Sequence, residues 1–229
     1  MLQALLFDLD GTLADTDPIH FRTWQDLMRG YGLEIDRPFY KARFSGRLNA
    51  QITADLLPQL SEAQRLALSA DKEAEFRRRA TGELQPLAGV AEVLRWAESQ
   101  CLKTAVVTNA PVENAAFMLG VLGLADRFDT IVLAEELERG KPDPLPYQVA
   151  LQRLNLEPQA AIAFEDSPTG VRSAIGAGLR TVGLATTHPP EDLYALGVVL
   201  AVQDFTAPDL RQLLQSSCPI TRFSEPRSA

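Results

Sequence analysis

Two aspartates, Asp8 and Asp10, stand two residues apart just after the apolar run Leu5-Leu6-Phe7. On an extended backbone that spacing turns both carboxylates to the same side. Carboxylates so close repel each other, and one takes up a proton unless a cation lies between them. Glu165 and Asp166 form a second acidic pair, again directly after an apolar run, Ala160-Ala161-Ile162-Ala163-Phe164. Bringing Asp166 to the first pair gives an all-oxygen cluster suited to Mg²⁺, a hard ion that takes few protein carboxylates and keeps several waters. Lys141 would then supply the positive charge that a dianionic phosphate monoester needs before it can enter a carboxylate site. Thr108 and Asn109, at the end of another apolar run, offer a hydroxyl, an amide and backbone N–H donors to phosphate. In such a site Asp8 would attack phosphorus as a nucleophile and form an aspartyl-phosphate. A neutral Asp10 would protonate the leaving alcohol and later deprotonate the attacking water.

These residues can meet only if the elements beneath them are arranged to bring them together. Leu5–Phe7, Thr104–Val107, Thr130–Leu133, Ala160–Phe164, Arg180–Leu184 and Val198–Val202 read as buried strands. Helical patterns stand between them, at Val90–Ala97, through Ala115 to Leu122, at Leu145–Leu154 and at Val171–Ala177. Such alternation implies an α/β fold with a doubly wound parallel sheet, whose ligands bind outside the carboxyl ends of the strands. The stretch from 15 to 84 breaks the alternation: it is helical throughout, beginning at Asp17-Pro18 with a face of His20, Trp24, Leu27 and Tyr31. It is expected to be an inserted all-helical cap domain. The catalytic core would comprise 1–14 and 85–215, with 216–229 a flexible tail rich in Ser, Pro and Arg.

Taken in order, Asp8-Leu9-Asp10-Gly11-Thr12, Thr108-Asn109, Lys141-Pro142 and Glu165-Asp166 resemble the four motifs of the haloacid-dehalogenase-like (HAD) phosphatase superfamily. The likeness covers about residues 1–205 and includes the cap inserted after the first strand. It implies a Rossmann-like core with Asp8 as nucleophile and Asp10 as acid/base, Asp10 also binding the metal through its main-chain oxygen. Asp166 would ligate Mg²⁺, Glu165 would support the metal shell, and Thr108 and Lys141 would hold the phosphoryl group. Within the superfamily the chain is most similar to β-phosphoglucomutase and its sugar-phosphatase relatives. His20, within Asp15–Trp24, resembles the hinge and first cap helix of the mutases; Lys72, followed by Phe76, resembles a cap lysine that contacts substrate. Two features depart from the mutases. Ala110 follows Thr108-Asn109 where they carry a serine-rich motif, and Arg47 stands directly beside Gly46 in the cap loop, with Asn49 further on.

Composition limits the alternatives. The formal charge of −8, from 30 acidic and 22 basic residues, disfavours nucleic acid and anionic membranes as partners. Two cysteines, Cys101 and Cys218, make no disulfide framework and suit a reducing compartment. Met1–Phe7 lacks a basic signal-peptide start, and no apolar run approaches the roughly 18 residues of a membrane span. A cytoplasmic enzyme acting on a small phosphorylated metabolite is expected, its substrate a sugar phosphate or a phosphoglycolate-type acid. A phosphomutase and a non-catalytic binder on the same fold are the alternatives. Oligomeric state is not encoded in these features.

Overall fold

The structure, a computed structural model, describes residues 1–44 and 47–218. Six strands form one sheet: β1 Ala4–Phe7, β2 Lys103–Thr108, β3 Thr130–Leu133, β4 Ala161–Glu165, β5 Arg180–Leu184 and β6 Leu200–Val202. Their order is β3-β2-β1-β4-β5-β6, and every neighbouring pair is parallel. The chain winds outward from β1 in both directions, so the order reverses between β1 and β4, the crevice where such sheets bind ligands. Burial on both faces explains why the strands are almost wholly apolar: all four residues of β1 and all five of β4 are buried.

Helices α5 Val90–Ser99, α6 Val112–Val121 and α10 Pro208–Ser217 cover one face, in a core built around Phe7 and Phe164, whose rings stack at 5.0 Å. Helices α7 Leu145–Leu154 and α8 Pro168–Gly176 cover the other face with Tyr147, Ala150, Leu151 and Ala174. The short α9 Pro190–Ala195 packs beside β5 and β6.

Between β1 and α5 the described residues contain helices alone: α1 Asp17–Arg29, α2 Arg37–Arg43, α3 Asn49–Leu56 and α4 Glu62–Glu83. They enclose a separate apolar cluster of Trp24, Met28, Ile35, Tyr40, Phe44, Ile52, Leu57 and Leu68. Ile19, Phe76 and Ala80 instead join the core beside the sheet, so α1 and α4 form the stalk of the insertion. A capping box, Ser61 with Gln64, starts α4.

Two expectations need correction. Residues 216–218 belong to the packed body rather than to a tail: Ser217 O accepts from Leu2 N at 3.1 Å, and Cys218 is buried. The apolar stripe of Leu210 and Leu214 on α10 draws the chain back onto the sheet. Tyr31, expected on one helical face with His20, Trp24 and Leu27, lies beyond the end of α1 and is exposed. Residues 219–229 lie outside the described residues. No helix among the described residues is long and apolar enough to cross a membrane.

Candidate active site

Strand β1 ends at Phe7, and the Asp8 N–H extends its pairing to Phe164 O at 3.0 Å. This fixes Asp8 directly opposite the end of β4, where Glu165 and Asp166 emerge. Lys141 arrives from the loop before α7. Its Nζ donates to Asp8 Oδ1 at 2.6 Å, to Glu165 Oε1 at 2.6 Å and to Val107 O at 2.7 Å. All three ammonium hydrogens are thereby committed. The Tyr147 hydroxyl donates to the same Glu165 Oε1 at 2.6 Å. Oxygens of Asp8, Glu165 and Asp166, all buried, lie within 4.8 Å of one another.

Electrostatics make this cluster costly as it stands. Burial pushes the Asp8 carboxyl up to about 8; Lys141 opposes the shift while Glu165 and Asp10 add to it. Asp166 is raised well above the usual carboxylate range by burial and by its two acidic neighbours. Burial works against the Lys141 ammonium, but Asp8 and Glu165 outweigh it and hold the charge in place. Glu165 Oε2 is buried with no hydrogen-bond partner among the described residues. Three converging carboxylates, one of them with an orphaned oxygen, are a donor set that could hold a hard divalent cation.

Two glycines make room for these carboxylates. Gly11 has φ +75, and a Cβ there would run into the Asp166 carboxyl; a Cβ on Gly170 would land on the Glu165 carboxyl. Behind them, Thr186 Oγ1 donates to Gly11 O at 2.5 Å and Thr187 Oγ1 to Asp166 Oδ2 at 2.6 Å, so the loop after β5 braces both acidic loops.

Asp10 lines the same cavity but its carboxylate faces the helical insertion. Its Oδ1 accepts from Thr16 Oγ1 at 2.8 Å and pairs with His20 Nε2 at 3.3 Å. Burial pushes the Asp10 carboxyl up, yet the His20 and Thr16 contacts prevail and hold it below its ordinary value. The side-chain cluster therefore consists of Asp8, Glu165 and Asp166, whereas sequence spacing groups Asp8, Asp10 and Asp166. The reason is local: both aspartates lie past the end of β1, in a turn that swings Asp10 toward α1.

Thr108 ends β2 and is buried, its Oγ1 accepting from Ala110 N at 2.9 Å. The Asn109 carboxamide is committed elsewhere than expected. Its Nδ2 donates to Lys141 O at 3.1 Å and its Oδ1 accepts from Lys141 N at 3.0 Å. It clamps the lysine's backbone, while the next main-chain donors are held within the turn, Ala110 N by Thr108 and Val112 N by Glu135 Oε2 at 2.9 Å.

On the insertion, Lys72 is buried and donates to Glu73 Oε1 at 2.8 Å and to His20 Nδ1 at 3.0 Å. An ammonium donating to Nδ1 assigns the hydrogen of His20 to Nε2, which then donates to Asp10. The His20 ring stacks on Phe76 with centroids 4.0 Å apart, so packing and polar contact coexist at this residue. Arg47 is turned away to Asp55 Oδ2 at 3.0 Å and Arg43 O at 2.9 Å. Gly46 lies outside the described residues. Sequence reasoning misses Glu73, Asn114, Thr16, Tyr147 and Thr187. The motif-bearing strand ends point to none of them except Thr16, which sits inside the hinge segment Asp15–Asp17.

The profile of the family described as haloacid dehalogenase-like hydrolase matches residues 5–184. Validoxylamine A 7'-phosphate phosphatase of Streptomyces hygroscopicus subsp. limoneus is 34% identical over 200 residues, which are 87% of this chain and 93% of that protein. A phosphorylated carbohydrates phosphatase of Thermotoga maritima is 32% identical, over 79% of this chain and 84% of its own. The crystal structure of CbbY from Rhodobacter sphaeroides in complex with phosphate superposes with a TM-score of 0.78 at 26% identity, covering 90% of this chain and 95% of that one. With Asp8, Lys141, Glu165 and Asp166 gathered at the switch point of its sheet, the chain belongs to the haloacid dehalogenase-like hydrolase family.

Proposed function

We propose that the chain is a Mg²⁺-dependent phosphatase that hydrolyses a small phosphorylated metabolite, of the sugar-phosphate or phosphoglycolate kind, through an aspartyl-phosphate on Asp8. One observation carries the reading. Asp8 lies against Lys141 and two further carboxylates, while Asp10, two residues on, is turned to a separate set of partners at the root of the helical insertion. Environments that separate two carboxyl groups in this way separate a nucleophile from an acid/base.

Asp8, Asp166 and the main-chain oxygen of Asp10 would hold Mg²⁺, with Glu165 supporting. The ion would neutralise the carboxylates and the phosphate oxygens together. A carboxylate oxygen of Asp8 then forms a bond to phosphorus as the ester P–O bond breaks, and Asp10 gives its proton to the leaving oxygen. An incoming phosphate dianion supplies the nearby negative charge that raises Asp10 and lets it carry that proton. In the second half Asp10 takes a proton from water, whose oxygen displaces Asp8 from phosphorus. Lys141 redirects a hydrogen to the phosphoryl oxygens, joined by the Thr108 hydroxyl, whose oxygen is held by Ala110 N and whose hydrogen is free to turn to them. Helices α1 to α4 act as the cap that excludes bulk water and chooses the leaving group. The named phosphatases among the relatives support the substrate class, and two free cysteines fit a reducing, cytoplasmic setting.

Phosphate release from an aryl phosphate, with Mg²⁺ and with EDTA, tests the proposal. Turnover that needs the metal and disappears in Asp8→Asn is expected; undiminished turnover in Asp8→Asn would sink the assignment. Water is the favoured acceptor because Arg47 is tied to Asp55 and the second motif lacks serines. Incubation with the anomeric phosphate of glucose and a bisphosphate primer separates hydrolysis from mutase activity, free phosphate being the expected product.

A further inference from the structure

The cavity above Asp8 has a volume of about 1030 Å³ and its far wall is formed by the cap. Four Lys or Arg side chains line it among the described residues, and each is already bonded to a carboxylate. Lys141 holds Asp8 and Glu165, Lys72 holds Glu73, Arg47 holds Asp55, and Arg139 holds Asp143 at 2.6 Å. What the cap offers a substrate instead is a carboxylate. Glu73 lines the cavity with its side chain 13% exposed. Its Oε1 accepts from Lys72 Nζ at 2.8 Å and from Asn49 Nδ2 at 2.5 Å. Its Oε2 accepts from Asn114 Nδ2 at 2.6 Å, and Asn114 is oriented for this by Arg77, which donates to its Oδ1 at 2.6 Å. A carboxylate has about four lone-pair directions. Three are occupied, and the fourth, on Oε2, remains for a ligand.

We infer, on the basis of the phosphatase reading above, that Glu73 is a specificity determinant: it accepts a hydroxyl of a neutral, polyhydroxylated leaving group and disfavours substrates bearing a second anion. A second phosphate or a carboxylate would find each cation at this wall, among the described residues, already paired with a carboxylate. It would have to share Lys72 with Glu73, which keeps its Asn49 and Asn114 donors and stands as a like charge beside the new anion. Within the proposed substrate range this selects sugar and sugar-alcohol monophosphates over phosphoglycolate-type acids and bisphosphates.

The test ranks kcat/KM for a hexose monophosphate, a hexitol monophosphate, phosphoglycolate and a hexose bisphosphate in the wild type and in Glu73→Gln. The wild type is expected to favour the two neutral polyol esters by at least about tenfold. Glu73→Gln frees the Lys72 ammonium, so it should narrow that gap about tenfold, losing efficiency on the polyol esters and gaining it on the doubly anionic substrates. A role for Glu73 in structure alone would lower all four together. Equal or better wild-type turnover of phosphoglycolate or the bisphosphate overturns the inference, as does an unchanged ratio in the variant; if the variant does not fold, the wild-type ranking decides. Aryl phosphate turnover by the wild type distinguishes the two levels. Activity there without the ranking removes only the role of Glu73, whereas failure to hydrolyse any phosphate ester removes the phosphatase reading itself.

Discussion

Asp8 and Asp10 are the same group two residues apart, and their surroundings pull them in opposite directions. Asp8 is raised by burial and by its acidic neighbours, whereas Asp10 is lowered by His20 and Thr16. Without a metal the proposed nucleophile would therefore be the group that tends to keep its proton, the reverse of what attack on phosphorus requires. A cation at the three-carboxylate cluster would invert the order, which would give the cluster a chemical purpose beyond charge pairing. Asp8→Asn should lower kcat at least about 10³-fold, as expected when a nucleophile is removed; single-turnover phosphate release measures it. Lys141 has a double role and so a different signature. Glu165 is fully buried, and Lys141→Ala would leave it with Tyr147 as its remaining donor. Breaking a buried pair from one side costs about 3 kcal/mol or more, so this variant should lose stability as well as turnover. Tyr147→Phe removes one neutral donor from that carboxylate and should cost less, about 1.5–3 kcal/mol. Urea midpoints of the two variants compare them; a Tyr147→Phe loss as large as that of Lys141→Ala would contradict the lysine's place at the centre of the cluster.

At the level of elements, the site is a set of strand ends held in register by parallel pairing, with helix starts packed closely against them. Gly170 shows how closely. Replacing it by alanine would improve helix propensity in α8 by about 1 kcal/mol. The new methyl, however, would land on the Glu165 carboxyl, which Lys141 and Tyr147 pin from the other side. Overpacking costs about 1–3 kcal/mol, so the steric term wins. Gly170→Ala should melt lower and show a weaker response to Mg²⁺ in thermal denaturation; a higher midpoint would mean that Glu165 has room to move. Positions of this kind divide what can be read in the sequence from what cannot. Buried parallel strands read as unbroken apolar runs, so the residues that follow them, Asp8, Asn109 and Asp166, can be located from residue order alone. The commitment of Asn109 to the Lys141 backbone leaves no such trace, because a polar residue at a strand end serves a ligand or a neighbouring loop equally well. Glu73 and Asn114 lie 41 residues apart on different layers and meet only when α4 docks on α6. Helix α10 does carry a signal, Pro208 at its first turn followed by Leu210, Leu213 and Leu214, but the polar composition just beyond it masks the pattern.

Across the whole molecule, the sheet's reversal between β1 and β4 concentrates carboxylates at one crevice of a chain that is already acidic, with a formal charge of −8. That arrangement ties folding stability to pH and, with the proposed Mg²⁺ bound, would tie it to metal as well. In the metal-free protein Asp8 is raised from 3.8 to about 8, so across that interval the folded chain retains a proton that the unfolded chain has lost. Stability then falls as pH rises through the interval, because the native state binds the extra proton; Asp166, shifted in the same direction, adds to the slope. Lys141 is raised, and its contribution is lost only at pH values above the ordinary lysine range, outside this window. The lowered carboxyls of Asp10 and Glu73 contribute stability that is lost below it. His188, its imidazole lowered by burial, acts in the opposite sense near neutral pH, but without reference to metal. A divalent cation would take the place of the protons and bind only the ionised cluster. The rise in melting temperature on adding millimolar Mg²⁺ to EDTA-treated protein should therefore be small at about pH 5 and grow steadily toward about pH 8. In Asp8→Asn, which cannot ionise at this position, the pH dependence of that increment should flatten. An increment that is independent of pH in the wild type, or equally steep in the variant, would show that the cation binds somewhere other than the crevice between β1 and β4.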